Sequence, residues 1–90
     1  MEKIVVVVVG TDRVGIIARF SGHLFAHNIN IEDVQQKVMD GIFVMTLLAD
    51  ISQSSSSPAL VRRELEELGR EMGLKVMVHS EAVLKAMHRV

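Results

Sequence analysis

The stretch Gly10-Thr11-Asp12-Arg13-Val14-Gly15-Ile16-Ile17 holds the residues best suited to chemistry in this chain. It joins an apolar run to an amphipathic one, the pattern of a strand passing into a helix. Gly10 is expected to end the strand and let the backbone turn tightly. The unpaired N–H groups of the helix's first turn, at the positive end of its dipole, can hold a carboxylate or a phosphate. Gly15 has no side chain to shield that turn. Asn30, whose amide both donates and accepts, is expected at the same end of the fold. Helix donors beside acceptors from Asp12 and Asn30 suit a molecule that carries a carboxylate and an ammonium together, as a free amino acid does. The plainer reading is that Asp12 only caps the helix and Asn30 only opens a strand.

Other candidates are weaker. His23 and His27 are spaced i, i+4 in the segment His-Leu-Phe-Ala-His and can share a metal. The glutamate of the zincin motif is missing and no third ligand is evident nearby, so they read as solvated residues. No metal site and no cofactor are expected. His79 and His88 have no partner identifiable from spacing. Arg62, Arg63, Glu64, Glu66, Glu67, Arg70 and Glu71 read as the solvated, mutually paired face of a helix. The methionines sit at packing positions.

The elements that must position these groups can be placed from pattern alone. Lys3 to Val9 is β-branched from Ile4 onward and apolar at every position, which predicts a central strand buried on both faces. With Asp12 as N-cap, Val14, Ile17, Ala18, Ser21, Leu24 and Phe25 mark the buried stripe of a helix from Arg13 to His27, stopped at Asn28. Asn30 to Met39 is a second strand whose alternation slips at Glu32 and Asp33, which predicts a bulge. Asp40-Gly41 predicts a type I′ hairpin into a third strand, Ile42 to Ala49. Ser57 and Pro58 predict the start of a second helix with Val61, Leu65, Leu68 and Met72 buried and Gly73 as its stop. Leu74 to His79 alternates as a fourth strand, and Ser80 opens a short C-terminal helix.

The order β-α-β-β-α-β gives a ferredoxin-like α+β sandwich: a four-stranded antiparallel sheet, first and third strands central, both helices on one face. Residues 1–90 are then a single domain, with 1–79 as the core and 80–90 as the C-terminal helix. The first and third strands are apolar on both faces, so a bare second face would leave several aliphatic side chains in water. The C-terminal helix and a second subunit are expected to cover it, which makes a homo-oligomer the expected state.

Composition narrows the function classes. Hydrophobic residues make up 49% and charged residues 23% of the 90, the values of a globular chain. The formal net charge is -1, so no global field favours nucleic acid or an anionic membrane. The chain lacks Tyr and Trp, and the third strand carries only Phe43, so a base-stacking sheet is not expected. The apolar run Ile4 to Val9 is far short of the roughly 20 residues needed to span a bilayer. Absence of cysteine fits a reducing compartment, and a cytoplasmic protein is expected.

The run GTDRVGIIARFSGHLFAHNINIEDV resembles the opening of an ACT domain, and the resemblance extends over nearly the whole chain. The signature is a strand, a turn with Asp or Asn, a Gly opening the helix and an Asn-Ile pair entering the second strand. Here these are Asp12, Gly15 and Asn30-Ile31, with Asn28-Ile29 as a second register. The chain is similar to small free-standing ACT proteins of bacteria and archaea. The resemblance implies a regulatory domain without catalytic residues, a dimer often joined sheet edge to sheet edge, and a small-molecule ligand at the subunit boundary. Carried over by position, the ligand contacts are Gly10, Asp12, Val14, Gly15, Ile16 and Asn30. Many ACT domains have Pro where this chain has Val14, which frees the loop's φ. Two alternatives stand beside this. One is a protein–protein interaction module whose loop is idle. The other is an acylphosphatase-like enzyme using Arg19 and Asn30, against which Asp12 would repel a phosphate dianion by like charge.

Overall fold

The β-branched run after Glu2 becomes a strand because branched side chains fit an extended, pleated backbone better than a helix. In the computed structural model, which describes residues 2–82 and 85, this strand is β1 (Lys3–Thr11). It is followed by α1 (Ile16–Ala26), β2 (Asn30–Met39), β3 (Ile42–Asp50), α2 (Pro58–Met72) and β4 (Lys75–Ser80). The sheet order is β2-β3-β1-β4, with every neighbouring pair antiparallel. This is the expected ferredoxin-like fold, with β1 and β3 central. Of the expected C-terminal helix only Glu81, Ala82 and Lys85 are described, all helical, and the rest lies outside the described residues. Among the described residues no helix is long and apolar enough to cross a membrane.

Local chemistry explains the hairpin and the second helix. Asp40 and Gly41 both have positive φ, 55° and 79°, as a type I′ turn requires. The register slips between Ile31 and Asp33, at the expected bulge. Ser57 accepts a hydrogen bond from the Leu60 N–H through its hydroxyl, and Pro58 takes the first helical position.

The first helix departs from expectation. It begins at Ile16, not Arg13, and its N-cap is Gly15 at φ 89°, with no side-chain cap from Asp12 or any other residue. The cause is the length of β1, which runs through Gly10 to Thr11 because the hairpin pairs with it as far as Ile42. The Asp12 N–H then bonds the Gly41 carbonyl at 3.0 Å, so the chain leaves the sheet only after Asp12. Gly10 therefore does not end the strand. A Cβ there would lie 2.5 Å from Leu74 Cδ2 and 3.3 Å from Leu74 Cα, so glycine lets β1 pass close to the α2–β4 connection.

The core lies between the sheet and the two helices. Val6 and Val8 from β1 and Met45 and Leu47 from β3 meet Val61, Leu65 and Met72 of α2. From α1 the buried residues are Ile16, Phe20 and Leu24. The stripe expected from spacing is therefore corrected except at Leu24, because α1 carries two apolar faces. The sheet takes one, while Val14 (98% exposed), Ile17 and Phe25 (83% exposed) point outward. On the helix-free face of the sheet Val7, Val9, Val44 and Leu48 are half-buried and Met77 is exposed.

Two substitutions check this assignment by chemical denaturation. Phe20→Ala should lose about 3–5 kcal/mol of stability, the range for truncating a buried aromatic. Gly10→Ala should lose about 1–3 kcal/mol through overpacking against Leu74. No loss in either would misplace β1 or the core face of α1.

Candidate functional site

The loop between β1 and α1 is pinned from both sides. The Asp12 backbone is tied to the hairpin, and Arg13 Nη1 donates to the Met72 carbonyl at 3.0 Å, fastening the loop to the end of α2. Val14 and the Asp12 side chain lie exposed between these anchors. Gly15 bends the chain with a left-handed φ, and nothing lies within 4 Å of where its Cβ would be. Ile16 turns inward and is buried, so only its backbone can face a ligand. The first helical bond runs from the Arg19 N–H to the Gly15 carbonyl at 2.9 Å. The helix opens with neither a side-chain cap nor an acidic residue in its first turn. A positive helix end with that exposure is suited to an anion.

Asn30 stands elsewhere. In the sheet it pairs with Asp50, which pairs with Lys3 at the beginning of β1, whereas Thr11 pairs with Ile42 at the far end. The nine residues of β1 separate the two places by roughly 26 Å at about 3.3 Å per residue. The expectation that the loop and Asn30 share one end of the sandwich is thus corrected. Because β1 and β2 both flank β3 in antiparallel pairing, they run parallel, and the start of one cannot meet the end of the other. The acylphosphatase-like alternative loses its asparagine by the same geometry, and its Arg19 pairs with Glu71 at 3.3 Å.

Around Asn30 the surface is a shallow, open depression lined mostly by apolar groups. A cavity of about 540 Å³ is bounded by Ala18, Ser21, Phe25, Ile29, Asn30 and Ile31 among others, between the outer face of α1 and the start of β2. Lys3 and Glu32 form an ion pair at 2.7 Å at this end, and the hydrogen bond from Lys3 to Glu32 raises the lysine above its ordinary value. Hydrogen bonds from the Ser52 hydroxyl and N–H, the latter 2.9 Å long, hold the Asp50 carboxyl below its ordinary 3.8.

A second polar constellation differs from what spacing predicts. His23 and His27 are not freely solvated. Both point at Glu64 of α2, with Nε2–Oε1 distances of 2.9 and 2.8 Å. His27 Nδ1 lies 2.8 Å from Ser56 Oγ. The hydrogen bond from His27, followed by the charges of the two imidazoles, lowers the Glu64 carboxyl below its ordinary value. Spacing gives no sign that Glu64 is their partner, because it is remote in sequence and sits among residues that read as a charged face. The only hint was the i, i+4 histidine pair, which places two imidazoles on one side of α1.

Comparison with known proteins bears on the family and the fold. The profile of the ACT domain matches residues 2–79. The chain belongs to the ACT-domain family. A UPF0237 protein of Methanopyrus kandleri is 46% identical over the whole of both chains. The solved structure of an ACT domain protein from Streptococcus pneumoniae is 32% identical, with a TM-score of 0.81 over 97% of this chain and 98% of that one. A candidate glycine cleavage system transcriptional repressor is 26% identical, with a TM-score of 0.75 over 88% of this chain and 45% of that one. ACT domains are ligand-binding regulatory domains, and relatives of this one occur in both archaea and bacteria.

The Asp50 carboxyl sets an acid-dependence with a defined sign. A depressed carboxyl contributes stability that is fully present above its unfolded value near 3.8 and disappears as pH falls through the lower folded value. Thermal melts of the wild type and Asp50→Asn should differ near neutrality and begin to converge only as pH falls below about 3.8. A gap that persists or widens in acid would contradict the assigned hydrogen bonds.

Proposed function

We propose that this ACT domain binds a free amino acid as a two-fold dimer, with each ligand held by the loop of one copy and Asn30 of the other. The observation that carries the reading is the outward apolar face of α1, from Val14 to Phe25, beside the exposed edge strand β2. Two large side chains, Val14 and Phe25, are almost fully in water. An edge strand of ten residues offers a row of unpaired backbone groups to a second chain. A two-fold axis at that edge pairs β2 with its copy and lays the two α1 helices side by side, antiparallel.

That symmetry resolves the separation within one chain. Asn30 lies just beyond the C-terminal end of α1, after the three residues His27, Asn28 and Ile29. Antiparallel α1 helices bring the N-terminal loop of one copy towards the C-terminal end of the other, and so towards its Asn30. The helix N-terminus then takes the ligand carboxylate, while Asp12 and the partner's Asn30 accept from its ammonium. Val14, Gly15 and Ile16 shape the loop, and Gly10 seats the strand that leads into it, rather than contribute charged contacts. The similarity to a protein named for control of the glycine cleavage system supports an amino-acid ligand.

The experiment has two arms. Light scattering after size exclusion should give a dimer, and Phe25→Glu should give a monomer by placing a charge in the seam. A thermal-shift screen of the twenty amino acids should yield a ligand that, at 100 times its dissociation constant, adds about 2.7 kcal/mol. Asp12→Ala and Asn30→Ala should each abolish that shift while leaving the dimer intact. A monomeric wild type, or no shift with any amino acid, would defeat the reading.

A second reading rests on the helix-free face of the sheet, where Val7, Val9, Val44, Leu48 and Met77 form an apolar surface. There the domain would dock another protein and leave the loop idle. Capture of one stoichiometric partner, lost in Val44→Glu and unaffected by Asp12→Ala, would favour it.

A further inference from the structure

Two imidazoles and a carboxylate converge where α1 faces α2, away from the loop that opens α1. His23 and His27 lie one turn apart on α1, and their Nε2 atoms flank the same Glu64 oxygen at 2.9 and 2.8 Å. The three ligand atoms all fall within 4.8 Å of one another. All three side chains are partly withdrawn from solvent, His27 the most, with 17% of its side chain exposed.

Three details go beyond a surface ion pair. The Ser56 hydroxyl engages His27 Nδ1 at 2.8 Å, which orients the ring and leaves Nε2 for a partner on the Glu64 side. Metal-binding histidines are held through their other nitrogen in this way. The His23 Nε2 is shut off from solvent and, among the described residues, has no well-aligned hydrogen-bond partner, although the carboxylate oxygen is 2.9 Å away. The distance suits a hydrogen bond but the alignment does not. A nitrogen lone pair aimed at a shared ion beside the carboxylate would satisfy it. Finally, a cavity of about 280 Å³ bounded by Arg19, His23, Glu64, Glu67, Leu68 and Glu71 adjoins the cluster and has room for a water as fourth ligand.

We propose that His23, His27 and Glu64 form a binding site for a divalent transition-metal ion, with zinc the best fit. Two neutral imidazoles and one carboxylate are donors that zinc takes with a fourth position left to water. Magnesium and calcium prefer oxygen ligands throughout, which a pair of imidazoles does not offer. Bonds of about 2.0–2.1 Å in a tetrahedral site place ligand atoms about 3.4 Å apart. The carboxylate would therefore move outward by about half an ångström, and the two imidazole nitrogens, within 4.8 Å of one another, would draw together as the ion enters. Glu64 stands at the partly exposed surface of α2 and can make that adjustment by side-chain rotation. The bound ion would tie α1 to α2, and Ser56 would act as a positioning residue through His27.

The test uses the full chain, freed of any affinity tag and stripped of metal with a chelator, then titrated with Zn2+ by calorimetry at neutral pH. The expected result is one equivalent per chain. Zn2+ should shift the ring-nitrogen resonances of His23 and His27 in the wild type, a readout that does not depend on the folding of any variant. Glu64→Gln, close in shape and checked by circular dichroism, should weaken binding at least about tenfold, and Ser56→Ala about 10–100-fold. No binding, undiminished affinity in Glu64→Gln, or resonance shifts confined to His79 and His88 would each overturn the assignment.

Discussion

In this fold β3 lies between β1 and β2, and the register of that antiparallel pairing governs where every candidate group stands. Thr11 is matched to Ile42, and Lys3 is matched through Asp50 to Asn30. The loop that opens α1 is therefore at one end of the sheet and Asn30 at the other. Slipping the register by one residue would exchange the faces of the strand and expose Val6 and Val8, so the core enforces it. A pocket using both places is necessarily shared between copies. In the proposed dimer, ligand binding and dimerisation become one equilibrium, and a ligand that bridges the seam stabilises the assembly by mass action.

The proposed functions meet on α1 and the residues that flank it, because this segment serves three neighbours. Ile16, Phe20 and Leu24 fill the core. Val14, Ile17 and Phe25 face outward beside β2. Arg19, His23 and His27 turn to α2, where Glu71 and Glu64 meet them. A helix with apolar residues on two sides cannot satisfy both within one small sandwich, and the proposed dimer is what would cover the second side. The polar side is the cross-brace between the helices, and the proposed metal would strengthen that brace without touching the loop.

The architecture was largely legible in the residues. The β-branched run of β1, the Asp40-Gly41 turn, the slip at Glu32 and the Ser57-Pro58 start are local effects of backbone sterics and hydrogen bonding, and each stands where pattern placed it. Less of the site was legible. Asp12 looks like a helix cap, but the length of the hairpin partner keeps it on the sheet, and no local rule weighs a cap against a strand extension. The apolar stripe of α1 was assigned to the wrong side because periodicity identifies faces without saying which one the sheet takes. Glu64 was passed over because 37 residues separate it from His27.

By itself the sequence determined the elements, their order, the ferredoxin-like class and the family, since all of these follow from short-range propensity, pattern and motif. Only the tertiary structure decided which groups meet. It sent Asn30 away from the loop, chose the core face of α1 and drew Glu64 to the two histidines. The reason is that such proximities come from strand register and helix packing, which join residues distant along the chain and leave no mark in their spacing.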